Sequence, residues 1–167
     1  SRLPFAVLRG YVGTDFPAIN ADIRTITCPF TGEELAAVPA INPDITFIHA
    51  LKADSAGNVL IEGIVGVQKE AVLAAGKAII TVEEVVDRFE SHPNAMVLPY
   101  WVVTAIAHVP GGAHPSYAHG YYPRDNAAYK EWDAIAADRD RFLAWMKTHV
   151  LDVDETVFAN RATWGAR

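Results

Sequence analysis

The chain has 167 residues, 51% of them hydrophobic and 20% charged, which suits one compact domain with a genuine core and excludes the low-hydrophobicity, high-charge regime of disorder. Its net charge of −6 comes without a Lys/Arg block, so the basic stripe that grips nucleic acid is missing and no nucleic-acid partner is expected. The single cysteine, Cys28, rules out an internal disulfide or thiolate cluster, fits a reducing cytoplasm and reads as a small buried hydrophobe.

The sequence opens at Ser1 inside an apolar stretch, Leu3 to Leu8, that reads as a strand already under way. A cleaved product explains such a start better than an amino-terminal nucleophile at Ser1, which no other feature supports. No secretory leader is recognisable, and apolar runs such as Met96 to Val103 break long before the ~20 residues a membrane helix needs, so no membrane partner is expected.

Ile45 to Ala50 is β-branched and aromatic and predicts a buried strand. A turn at Ser55-Ala56-Gly57-Asn58 leads to Val59-Leu60-Ile61, a helix over Gln68 to Gly76, and a strand over Lys77 to Val82. Strand, helix, strand argues for βαβ units and a mostly parallel sheet, that is, an α/β fold. Extended segments follow at Ala95 to Leu98 and Val102 to Val109. Asn126 to Val150 then carries Tyr129, Trp132, Ile135, Ala136, Phe142, Leu143 and Met146 near one helical face, which predicts a long helix. A last short helix is expected around Asp152 to Asn160.

The stretch Pro110 to Asn126 concentrates glycine, histidine and tyrosine between a strand and a helix, where open α/β sheets place their binding sites. The bland alternative is a rigid connector whose tyrosines pack at an interface. His114 and His119 do not share a helical face or an acidic partner at a recognised spacing, so no metal is expected. A relay of Ser116, His114 and Asp125 lacks the Gly-x-Ser-x-Gly elbow of a serine hydrolase. Gly10, Gly13, Gly63 and Gly66 form no phosphate loop. The Asp54 to Asn58 turn is composed as turns are for conformational reasons alone. Glu62, Glu83, Glu84 and Asp87 lie near strand ends; one of them can be catalytic, but most glutamates are simply solvated.

Taken in order, Leu3-Pro4-Phe5 to Gly10, Pro39-Ala40, Pro43-Asp44, Ile48-His49-Ala50, Asp54 with Gly57-Asn58, Val82-Glu83, Gly111-Gly112-Ala113-His114-Pro115, Tyr121-Tyr122, Arg124-Asp125 and Trp164-Gly165-Ala166-Arg167 resemble the A (α) subunits of class I coenzyme A transferases. The glutaconate CoA-transferase group and the steroid-ring-opening CoA hydrolases are the most similar. The resemblance implies a Rossmann-like fold, of which this chain is the carboxy-terminal half with a long helix near its end. The implied partners are the amino-terminal part of the same A-type polypeptide and a CoA-transferase B subunit, with the active site at their junction.

In that mechanism a glutamate of the B-type half attacks an acyl-CoA and carries coenzyme A as a thioester, and no Glu-Asn-Gly or Glu-Ser-Gly context here matches it. No residue of this chain is therefore assigned as catalytic. The resemblance implies acyl or CoA contacts from Asp54, Gly57, Asn58, Gly112, His114, Ser116, Tyr121 and Tyr122, with coenzyme A as a co-substrate and no permanently bound cofactor. The Gly-Tyr-Tyr-Pro-Arg-Asp run is closer to the transferases than to the hydrolases. A non-catalytic association module and a free-standing esterase using Ser116 are the competing classes.

Overall fold

A computed structural model describes residues 3–154. Where the sequence suggests one domain, the chain clusters into two compact units, residues 1–43 and 44–167. The first is a three-stranded antiparallel sheet of β1 (Phe5–Leu8), β2 (Arg24–Thr27) and β3 (Glu34–Pro39), with β3 in the middle and the short helix α1 (Phe16–Ile19) between β1 and β2. A turn closed by Gly32 N–H on the Cys28 carbonyl joins β2 to β3, and Gly32 adopts the φ of +74° that this reversal requires. Cys28 lies in that turn half-exposed rather than in a core, because the turn itself runs over the surface of the unit.

The second unit is built on a five-stranded sheet: β4 (Ile45–Asp54), β5 (Val59–Ile61), β6 (Lys77–Val86), β7 (Met96–Leu98) and β8 (Ala105–His108), in the order β7-β5-β4-β6-β8. Strands β4, β6 and β8 are parallel, and the crossover from β4 to β6 contains α2 (Gln68–Ala74). On the other side, β4-β5 is a hairpin and β7 adds antiparallel to β5, so the parallel expectation holds for one side and the sheet as a whole is mixed. The reason is local: the four residues Ser55 to Asn58 are too few for a crossover and dictate an antiparallel return.

Alternation along β6 sends Ala78, Ile80 and Val82 to one face together with Ala50 of β4, and the buried cluster they belong to also takes in Ala53, Val59, Leu98 and Val72 of α2. Ile80, Leu98, Val59 and Val82 are the largest fully buried side chains. Each contributes roughly 1.5–3 kcal/mol relative to exposure. The Thr46 hydroxyl donates to the Ala71 carbonyl at 3.1 Å and so ties α2 to that face.

The expected long helix is interrupted. Helix α3 (Asn126–Ala136) and helix α4 (Arg139–Met146) are separated by Asp138 in extended conformation, and a π-helical turn, Lys147–Leu151, follows. Aspartate is a poor interior helix residue and a good cap, and Asp138 accepts from the Arg141 amide at 2.9 Å. The periodic aromatic residues still meet, but across the break: Trp132 lies edge-on to Phe142 at 6.2 Å and to Trp145 at 4.8 Å. The helix expected near Asp152 to Asn160 and the Trp164 to Arg167 motif extend beyond the described residues. Among the described residues no helix is long and apolar enough to cross a membrane.

Substituting Ile80→Ala should destabilise the chain by roughly 2–5 kcal/mol in denaturant unfolding, whereas Asp138→Ala should cost only about 0.5–2 kcal/mol. Equal losses at both positions would contradict the placement of the core.

Candidate functional site

The opposite face of the central strands carries polar groups. Register pairs His49 of β4 with Thr81 of β6, and alternation brings Glu83, two residues further on, to the same side. His49 Nδ1 lies 2.8 Å from Thr81 Oγ1 and Nε2 lies 2.6 Å from Glu83 Oε1, so the imidazole bridges the two side chains. With Nε2–H donating to the carboxylate, Nδ1 accepts from the Thr81 hydroxyl in the neutral ring or donates to it in the imidazolium. Only 2% of the Glu83 side chain is exposed.

Glu83 also holds the loop that follows β8. Its Oε2 accepts from the Gly111 amide at 2.7 Å, and its Oε1 accepts from the Tyr122 hydroxyl at 2.5 Å. Tyr122 in turn accepts from the Ala113 amide at 3.0 Å, and His108 Nε2 lies 3.1 Å from the Glu83 carbonyl. One buried carboxylate thus fastens both ends of a loop that runs from Gly111 to Tyr122. A Cβ on Gly112 would fall 2.7 Å from His49 Cε1 and 2.9 Å from the Val109 carbonyl, so glycine is required there by the close approach of the imidazole.

The phenols are tuned by this setting. Burial, and then the bond to Glu83, push Tyr122 well above the ordinary tyrosine range. Burial and a 2.8 Å bond to Glu84 do the same to Tyr121. Glu84 is held below the usual carboxylate range by the Lys52 ammonium at 3.0 Å and by the Tyr121 hydroxyl.

Of the residues singled out in the sequence, Gly112, His114, Ser116, Tyr121 and Tyr122 share this one loop. His114 Nε2 lies 3.4 Å from Asp125 Oδ2, while Asp125 Oδ1 accepts from the Ala127 and Ala128 amides at 3.0 Å and caps α3. Among the described residues no group of three or more potential ligands could hold a metal.

Asp54, Gly57 and Asn58 form a self-contained turn at the end of β4. Asp54 Oδ1 accepts from the Ala56 and Asn58 amides and Oδ2 from the Asn58 side chain, at 2.8–3.0 Å. Asn58 Oδ1 accepts from the Tyr100 amide at 3.1 Å, and Gly57 has a φ of +87°. Desolvation raises the Asp54 carboxyl, but the bonds from Asn58, Ala56 and Gly57 together outweigh it and leave it below the aspartate range.

A cavity of about 180 Å³ lies beside the loop, lined by His49 of β4, Gln68 of α2 and Ser116 to His119, and by no residue of the Asp54 turn. Sequence reasoning leaves Glu83 among carboxylates expected to be solvated, which the structure corrects: Glu83 is buried because the loop folds over it. His49 reads from the sequence as a strand residue and as part of the Ile48-His49-Ala50 motif of the resemblance, with no role in the site assigned to it. The available signal is Thr-x-Glu in one strand opposite a histidine in another, which alternation converts into a shared face.

Tyrosine titration followed in the near ultraviolet should show a late-ionising fraction that shrinks in Tyr122→Phe; an unchanged curve would contradict the burial of that phenol. Asp54 has a depressed pKa in the folded chain, so its contribution to stability is present above roughly pH 3.9 and is lost as pH falls through the folded value. Asp54→Ala should therefore destabilise the chain at neutral pH and progressively less in acid, as read by denaturant midpoints across pH.

Comparison with known proteins agrees with this architecture. The coenzyme A transferase family profile matches residues 11–108. The A-type polypeptide of 3-oxoadipate CoA-transferase from Pseudomonas knackmussii is 60% identical over 150 residues, covering 90% of this chain and 53% of the relative. The cholesterol ring-cleaving hydrolase IpdA subunit of Mycobacterium tuberculosis is 29% identical, covering 99% of this chain and 60% of its own length. The crystal structure of glutaconate coenzyme A-transferase from Acidaminococcus fermentans superimposes with a TM-score of 0.85 at 26% identity, covering 98% of this chain and 57% of that one. The chain spans a little over half the length of these relatives. It belongs to the coenzyme A transferase family.

Proposed function

We propose that this chain is the carboxy-terminal portion of the A-type half of an enzyme that moves coenzyme A between an acyl-CoA and a carboxylic acid. The observation that carries this reading is the 60% identity to the A-type polypeptide of a CoA-transferase across 90% of the chain. The reaction proceeds through a glutamyl-CoA thioester, dividing one exchange into two covalent steps. The glutamate belongs to a B-type partner. Supporting that assignment, Glu83 is buried among three donors that stabilise its charge and occupy both oxygens, the opposite of an available nucleophile.

The chain acts together with that partner and with the remainder of an A-type polypeptide, in the cytoplasm, with coenzyme A as co-substrate and no resident cofactor. Gly112, His114, Ser116, Tyr121 and Tyr122 shape the acyl or CoA pocket at the junction of the two halves, and the Asp54, Gly57 and Asn58 turn supports it from the end of β4. The relative named for 3-oxoadipate points to an oxo acid as one substrate class.

A ring-opening hydrolase is the second reading, favoured by an alignment to the mycobacterial hydrolase that covers 99% of the chain. The test is incubation of the assembled complex with an acyl-CoA, borohydride reduction and peptide mapping. A reduced glutamate in the partner chain supports transfer. Thioester consumption with no trapped adduct favours the hydrolase.

A further inference from the structure

The loop after β8 is closed by bonds of its own. The Ser116 amide donates to the Ala113 carbonyl at 2.8 Å and the Asp125 amide to the Pro115 carbonyl at 3.0 Å, while Ala118 and Tyr122 exchange amide-to-carbonyl bonds at 3.1–3.2 Å. Such a segment moves as one body. Three phenols reach out of it to three different places. The Tyr117 hydroxyl accepts from the Ile64 amide at 3.3 Å, in the connection between β5 and α2. The Tyr121 hydroxyl donates to Glu84 at 2.8 Å, and that of Tyr122 donates to Glu83 at 2.5 Å. Glu83 and Glu84 are consecutive in β6, so alternation sends them to opposite faces of the sheet, where Glu83 meets His49 and Glu84 meets Lys52 of β4. The two adjacent tyrosines therefore straddle the strand.

We propose that Tyr117, Tyr121 and Tyr122 form a three-point mount that fixes this loop against the sheet, and that they are positioning residues for the CoA transfer described above. The reaction in this assignment rests on the transferase reading; the mount rests on the contacts alone. One attachment leaves a rigid segment free to swing and two leave it an axis to turn about, whereas three, spread over both faces of β6 and the end of β5, hold it. Phenylalanine would fill the same apolar volume, so what tyrosine adds at each position is the hydroxyl. Each hydroxyl is used within the chain itself, which assigns the phenols to holding the loop and not to the reacting atoms. Burial first, and then the bonds to Glu84 and Glu83, raise the Tyr121 and Tyr122 phenols, so both keep their protons and remain donors through the neutral range. Position matters here because, in the transferase reading, the reacting glutamate belongs to the partner. A misplacement of ~1 Å in such an alignment costs on the order of 10²-fold in rate.

The experiment replaces each tyrosine by phenylalanine in the assembled complex of the full A-type polypeptide with its B-type partner, and measures kcat and KM for CoA transfer across pH together with amide hydrogen exchange at Ser116 and Ala118. Tyr121→Phe is the principal probe, because Glu84 is half exposed and loses only one of its partners. It should lower kcat roughly 10-fold with KM within about 2-fold of wild type, speed exchange at both amides and leave the melting temperature unchanged. Tyr117→Phe, which removes a neutral contact, should do the same to a smaller extent, roughly 3-fold in kcat. Both limbs of the pH profile should survive in every variant, since the phenols hold the loop without giving up a proton. A raised KM at unchanged kcat, a lost limb, or unchanged exchange in both Tyr117→Phe and Tyr121→Phe overturns the assignment. Failure of the transferase reading shows separately: a complex that transfers CoA to no acid, but whose Tyr121→Phe form exchanges Ser116 and Ala118 faster, retains the mount and removes the reaction.

Discussion

A carboxylate taken out of water destabilises a protein by several kcal/mol unless donors surround it, and much of the candidate site is arranged around supplying donors to Glu83. They come from three places in the sequence: the imidazole of His49 on the neighbouring strand, the amide of Gly111 just past β8, and the phenol of Tyr122 at the far end of the loop. Removing any one leaves buried charge less well matched. That couples the sheet to the loop, since the loop cannot lift away without stripping the carboxylate of two of its partners. A side chain that strand alternation places on an otherwise open face thereby organises a loop that contains no helix or named strand.

The two faces of the central sheet divide the labour. The face with Ile80 and Val82 supplies the apolar burial that keeps the second unit folded, while the face with His49, Thr81 and Glu83 supplies the polar scaffold on which the loop rests. Because both sets sit on the same two parallel strands, the rigidity of the core is transmitted to the site with no intervening flexible element. Sites supported by strands hold their geometry better than sites carried by loops alone, and here a loop borrows that precision through one carboxylate. The cavity beside it is bounded by the same strand and by α2, which Thr46 fastens to the sheet.

Much of this is legible in the residues. Patterning marks the strands at Ile45 and Lys77 and the helix between them, because β-branched runs and helix formers with a terminal glycine alternate clearly there. The glycine- and tyrosine-rich loop stands out by composition, and its family resemblance by the order of its motifs. The antiparallel side of the sheet is obscured because Val59 to Ile61 and Met96 to Leu98 are three-residue strands, too short for periodicity to show direction. The break at Asp138 is hidden because the aromatic spacing continues across it, and a single capping aspartate outweighs that pattern. Glu83 escapes detection for a more general reason: a glutamate's burial depends on whether a distant loop returns to cover it, and local sequence carries no trace of that.

The most direct test of Glu83 as the anchor of the loop is amide hydrogen exchange on the Glu83→Gln chain in its assembled complex. The substitution leaves a single side-chain acceptor oxygen for three donors. The account predicts that the Gly111 and Ala113 amides lose protection while those of Ile80 and Val82 in the core of β6 keep theirs. Unchanged protection at Gly111 and Ala113, together with lost CoA transfer, would contradict it and place Glu83 in the chemistry itself.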